Sequence, residues 1–72
     1  MADKDWLDNA FDYHKPTEKT IPMFEQLRRE YKALASLLMD LCPMSREKIR
    51  ALDLLEQSMF NANASIARHI KE

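Results

Sequence analysis

The chain has 72 residues, 46% apolar and 32% charged, with a formal net charge of −1. That length holds at most one small domain, and the apolar share sets it apart from chains disordered by composition. The near-neutral balance does not indicate a strongly basic nucleic-acid binder, so any anion site has to be a local basic patch.

The absence of Gly and the presence of only three Pro suit long helices joined by short turns. Cys42 stands alone and reads as a small hydrophobe beside a helix end, with no disulfide framework and no Cys/His metal set. His14 and His69 lie too far apart in sequence to read as a metal pair. No apolar run approaches the roughly 18 residues of a membrane span, and the opening MADKDWLDNAF lacks a signal-peptide core. The expectation is a cytoplasmic protein with no membrane segment.

In chain order, Asp3, Asp5, Trp6, Asp8 and Phe11 alternate acid and aromatic. Trp6, Leu7 and Ala10 allow either a short helix or an arm anchored by Trp6 and Phe11. Asp3 and Asp5 suit a helix start, where negative charge meets the dipole. Asp12–Thr20, DYHKPTEKT, reads as a turn: Lys15 before Pro16 is biased to extended backbone. Thr17 or Thr20 can cap the next helix, and Pro22 fits its first turn. The turn gathers Tyr13, His14 and Lys15, a ring, an imidazole and an ammonium suited to stacking on a base and pairing with a phosphate. An ordinary polar turn can hold the same set.

Helix one is expected over residues 18–41. Phe24, Leu27, Tyr31, Leu34, Leu38 and Leu41 alternate spacings of three and four, an a/d seam, and the helix is on the order of 30 Å long. Arg28, Arg29 and Lys32 make a basic arc from the seam's edge, with Arg28 placed along the junction between helices. Arg29 and Lys32 can equally be solvated charges near Glu25. Pro43 in Cys42-Pro43-Met44-Ser45 stops the helix, and Ser45 suits the N-cap of a second helix, with Glu47 in its first turn. So short a connection makes the two helices antiparallel neighbours.

Helix two is expected over residues 45–70. Leu52, Leu55, Met59, Ala62 and Ile66 form its buried stripe. Arg50, Leu54, Asn61, Ser65 and Arg68 lie roughly opposite, a mixed face that can be tolerated surface or a second contact surface. Ala51, Ser58 and Ser65 recur every seven residues and would let another helix approach closely. The reading is all-α: a single domain over 1–72 built as an antiparallel two-helix hairpin, with an N-terminal arm or short helix and turn over 1–16. Two helices cannot enclose a core, and a chain this short without disulfide or metal commonly gains stability by association. A homo-oligomer is therefore expected.

No paired carboxylates, nucleophile motif, Gly-rich phosphate loop, HExxH or CxxC occurs. An enzyme is not expected, nor a cofactor or metal.

Three stretches carry a resemblance: FDYHKPT (Phe11–Thr17), CPMSREK (Cys42–Lys48) and ALDLLEQSMFNANASIAR (Ala51–Arg68). With these the chain resembles the phage anti-CBASS cyclic-oligonucleotide sponges, whose hairpin domain is shared with anti-Thoeris sponges. The likeness runs from Phe11 onward and is most specific at NANASIAR. It implies a hairpin assembled as a hexamer, a trimer of dimers, acting in the infected bacterial host cell. It further implies binding of cyclic di- and trinucleotides, withholding the signal from its effector without cleaving it.

By the same resemblance, the cyclic-dinucleotide pocket would use Tyr13 of the FDYH motif and Arg28, with Arg29 the alternative for that role. His14 and Lys15 stand beside them, although the family often has a second Pro where Lys15 stands. A cyclic-trinucleotide site would use Arg68; Asn61 and Ser65 are added from helical geometry. The chemistry fits: phosphates and flat bases call for a few cations and stacking rings. An interface between hairpins can surround a ligand that one hairpin cannot. Periodicity and composition alone favour a different function, a hairpin adaptor docking on a protein through Leu37 and Leu54; the residue-level resemblance puts the sponge first. A small DNA or RNA binder is disfavoured by the acidic balance and the lack of helix-turn-helix spacing.

Overall fold

A computed structural model describes residues 3–70. Among them lie three helices and no strand: α1 (Asp3–Phe11), α2 (Thr20–Leu41) and α3 (Arg46–His69). The opening segment is thus a helix rather than an irregular arm. Asp3 and Asp5 sit in its first turn, and Lys4 Nζ meets Asp8 Oδ2 at 3.6 Å one turn on. Trp6 and Phe11 pack edge to face at 6.0 Å and 83°, yet both remain more than half exposed. They hold each other and do not anchor α1 into a core.

The turn into α2 is closed by a reciprocal pair of threonines. Thr17 Oγ1 accepts from the Thr20 N–H at 3.1 Å, and Thr20 Oγ1 accepts from the Thr17 N–H at 2.8 Å. The Thr17 carbonyl accepts from Ile21 N–H at 2.9 Å. This is capping-box logic with Thr in the third position: two donors that the helix cannot satisfy are each given an acceptor. Lys19, immediately before α2, already has helical angles and no side-chain cap bond. Thr17 is the cap, and Thr20 is the only buried residue among those described.

At the other end Cys42 is extended (φ −87°, ψ 128°), as a residue before proline prefers. Ser45 caps α3, its Oγ accepting from Lys48 N–H at 3.1 Å. Lys48 Nζ then donates to the Met39 carbonyl at 2.8 Å, tying the last turn of α2 to the first of α3.

α2 and α3 pack as an antiparallel hairpin, bridged midway by Tyr31 Oη and Ser58 Oγ at 2.7 Å. On α3, Leu52, Leu55, Met59, Ala62 and Ile66 are all half-buried. On α2 the seam departs from the expected heptad. Leu34 and Leu41 are 44% and 71% exposed, and the half-buried line runs Phe24, Leu27, Tyr31, Ala35, Leu38, Cys42. Five steps across eighteen residues average the 3.6 of a straight helix; a strict 3.5 repeat needs a supercoil that a single hairpin need not form. No apolar side chain is fully buried among the described residues.

Candidate ligand-binding site

The α1–α2 turn folds back over the flank of the hairpin. His14 fixes it: Nε2 donates to the Asn9 carbonyl at 2.6 Å. A carbonyl can only accept, so the proton sits on Nε2, and a neutral ring keeps a free lone pair at Nδ1. Behind the turn, where α2 and the last third of α3 meet, lies an open cavity of about 370 Å³.

Its lining sorts by chemistry. Tyr13, Phe24 and Pro16 offer flat apolar surfaces, Arg28 a cation, and His14 and Asn63 neutral polar groups. Ala64 and Ala67 are the small residues that let a ligand approach the α3 backbone. The volume falls toward the lower end of small-molecule sites, roughly 300–1,000 Å³. Tyr13 is 83% exposed, so one face of the cavity is open.

Tyr13, His14 and Arg28, named from the sequence, therefore come together on one cavity. Lys15 and Arg29 do not line it: both are exposed, and Arg29 lies one residue further round α2. Arg29 forms no ion pair with Glu25. Asn63, Pro16, Ala64 and Ala67 were not legible as site residues, and Phe24 read only as seam. For the three α3 residues the one signal is the run of small residues through NANASIAR, which widens the half-buried face of α3 beyond the apolar stripe.

Asn61, Ser65 and Arg68 share one exposed face of α3, as positions four and three apart must. None of them lines this cavity. Asn61 Nδ2 donates to Gln57 O of its own helix at 2.9 Å. Arg68 Nη2 donates to the Ala10 carbonyl at 3.3 Å, so this arginine reaches across to the C-terminal end of α1.

Arg28 also borders a second groove of about 410 Å³, further along the hairpin toward the α2–α3 connection. There Arg28 and Lys32 of α2 face Asp53 and Glu56 of α3 across Leu52 and Met59. Among the described residues no His, Cys, Asp and Glu cluster could hold a metal ion, and no helix is long and apolar enough to cross a membrane.

Neither the curated proteins nor the solved structures yield a match to the chain. The family model "Acb2/Tad1, hairpin domain" does match, over residues 3–67, which takes in α1, α2 and nearly all of α3. The chain belongs to the Acb2/Tad1 hairpin-domain family, a family of phage anti-CBASS and anti-Thoeris sponge proteins.

Proposed function

We propose that this protein binds cyclic dinucleotides and trinucleotides and holds them intact, keeping the signal from CBASS effectors. The observation that carries this is the convergence of Tyr13, His14 and Arg28 on one open cavity. Stacking ring and cation are what a base and its phosphate require, and charge-assisted bonds to phosphate are the strong ones. Nothing in that set is arranged to activate a nucleophile, and a sponge needs only tight binding and slow release.

The cavity is open beside Tyr13, and a cyclic dinucleotide has near-twofold symmetry of its own. Two hairpins meeting about a twofold axis would present two such half-sites to one ligand. Assembly as a trimer of dimers would also bring three Arg68 side chains around a threefold axis, matching the three phosphates of a cyclic trinucleotide. The Arg68 bond to Ala10 O is exposed and 3.3 Å long, and a charge-assisted phosphate contact would replace it. Like charges gathered on the axis repel when empty, so bound ligand stabilises the assembly by mass action.

The adaptor reading keeps one observation in its favour: Leu37 and Leu54 are 49% and 52% exposed. The test is calorimetric titration with a panel of cyclic di- and trinucleotides, with sedimentation velocity alongside. Tight binding, with unaltered ligand recovered on denaturation, is the expected result. A well-folded oligomer giving no heat with any of the panel overturns the sponge reading and leaves the adaptor.

A further inference from the structure

Two asparagines stand two residues apart near the end of α3, and they are used differently. Asn61 is exposed and donates to its own helix at Gln57 O. Asn63 is half-buried, faces the cavity with Tyr13 and Arg28, and its side-chain amide makes no hydrogen bond to any described residue. An Asn inside a helix costs about 0.5–0.7 kcal/mol relative to Ala, and here no internal bond offsets it. Neither its carbonyl oxygen nor its NH2 is a buried, unpartnered atom, so both are accessible to an incoming group.

We infer that Asn63 is the base-reading residue of this cavity and selects adenine; the inference rests on the cyclic-dinucleotide reading above. An amide offers a donor and an acceptor side by side. Adenine's N6/N7 edge offers the complementary acceptor and donor, whereas the O6/N7 edge of guanine offers two acceptors and suits an arginine. The other cavity groups do different work. Tyr13 and Phe24 are flat surfaces that any base can stack on, and Arg28 is a cation for phosphate. His14 has its Nε2 proton committed to Asn9 O, leaving a single acceptor when neutral. Asn63 is thus the one cavity side chain that sets a donor and an acceptor side by side on separate atoms, as a bidentate base contact requires. Ala64 and Ala67, beside it on α3, leave room for a purine to reach that edge.

The test compares affinities for cyclic di-AMP and cyclic di-GMP in the wild type, Asn63→Ala and Asn63→Asp. The readout is the ratio of the two affinities: the ligands carry the same charge, so any general loss from altered packing or an added carboxylate cancels in it. Wild type is expected to favour cyclic di-AMP. Asn63→Ala should collapse that ratio by on the order of ten-fold or more, the range of a lost bidentate base contact. Asn63→Asp, an acceptor only, should shift the ratio toward cyclic di-GMP, whose N1–H and N2–H are donors. If Asn63→Asp fails to fold, the alanine variant decides alone. A wild type that binds both ligands with no adenine preference, or variants that keep the wild-type ratio, would overturn the inference while leaving cyclic-dinucleotide binding intact. A wild type that binds neither ligand would overturn the parent reading and this one together.

Discussion

Replacing Thr20 by Val keeps the side chain's size and removes its hydroxyl, which is the acceptor for the Thr17 N–H at 2.8 Å. The same oxygen lies 3.2 Å from Thr17 Oγ1, and Thr20 is only 4% exposed, so no water easily takes its place. An unsatisfied donor in such a setting costs about 1–3 kcal/mol. The Thr17 N–H is itself only partly buried, which places the cost toward the lower end, about 1–2 kcal/mol. For a domain of this size each kcal/mol moves Tm by roughly 4–8 °C, so Thr20→Val should lose about 5–15 °C. If protomers unfold with their assembly, the free-energy loss and the unfolding entropy both scale with copy number and the shift per protomer stands. Thermal unfolding followed by circular dichroism, at matched protomer concentration, reads it directly. Thr17→Ala removes the reciprocal acceptor at a cost of about 1 kcal/mol, and the double variant should lose less than the sum because both changes open one box. An unchanged midpoint in Thr20→Val, or strict additivity of the pair, would refute this account of how the turn is held.

Tyr13→Ala should abolish or weaken cyclic-dinucleotide binding by on the order of ten-fold or more, the scale of a lost base–aromatic stack. Its sedimentation coefficient should not change, because the turn that carries Tyr13 contributes little to the helix packing; Tyr13→Phe should retain binding. Arg28→Ala should weaken dinucleotide binding while Arg29→Ala leaves it near wild type in the same titration, since only Arg28 lines the cavity. Arg68→Ala should weaken cyclic-trinucleotide binding and spare cyclic dinucleotides, with loss of both refuting two separate sites.

Much of the hairpin could be read because local chemistry announces it. Ser45 after Pro43 has one good use, and it caps α3 through Lys48 N–H. Leu52, Leu55 and Met59 form a stripe because any helix puts those positions on one side. The α2 seam was misread in detail, since alternating threes and fours fit Leu34 and Leu41 as well as Ala35 and Cys42. Only the unsupercoiled 3.6 period selects the smaller pair. Of the candidate site, the chemically loud side chains could be named in advance: Tyr13, His14 and Arg28 line one cavity, while Lys15 and Arg29 do not. Asn63 could not, because its place on the cavity depends on which flank of α3 the turn covers, and long-range contacts such as Arg68 to Ala10 O have no periodic signature.

The hairpin's own interior does not account for its stability. A chain of 72 residues with no fully buried apolar side chain among those described falls short of what a small domain needs without disulfide or metal. What it has instead is surface: Leu34, Leu37, Leu54 and Phe60 are each between 44% and 57% exposed. Beside Leu52 and Met59, Arg28 and Lys32 face Asp53 and Glu56 across one groove. Such a patch is self-complementary, since a second copy turned about a twofold axis sets its acids against the first copy's bases. Association of that kind would complete the core and close the proposed ligand cavity in one step. The unfolding midpoint should therefore fall as the protein is diluted, in parallel with a loss of sedimentation coefficient. A midpoint independent of protomer concentration, from a species sedimenting as a monomer, would show that the hairpin stands alone and that its open cavity is the whole site.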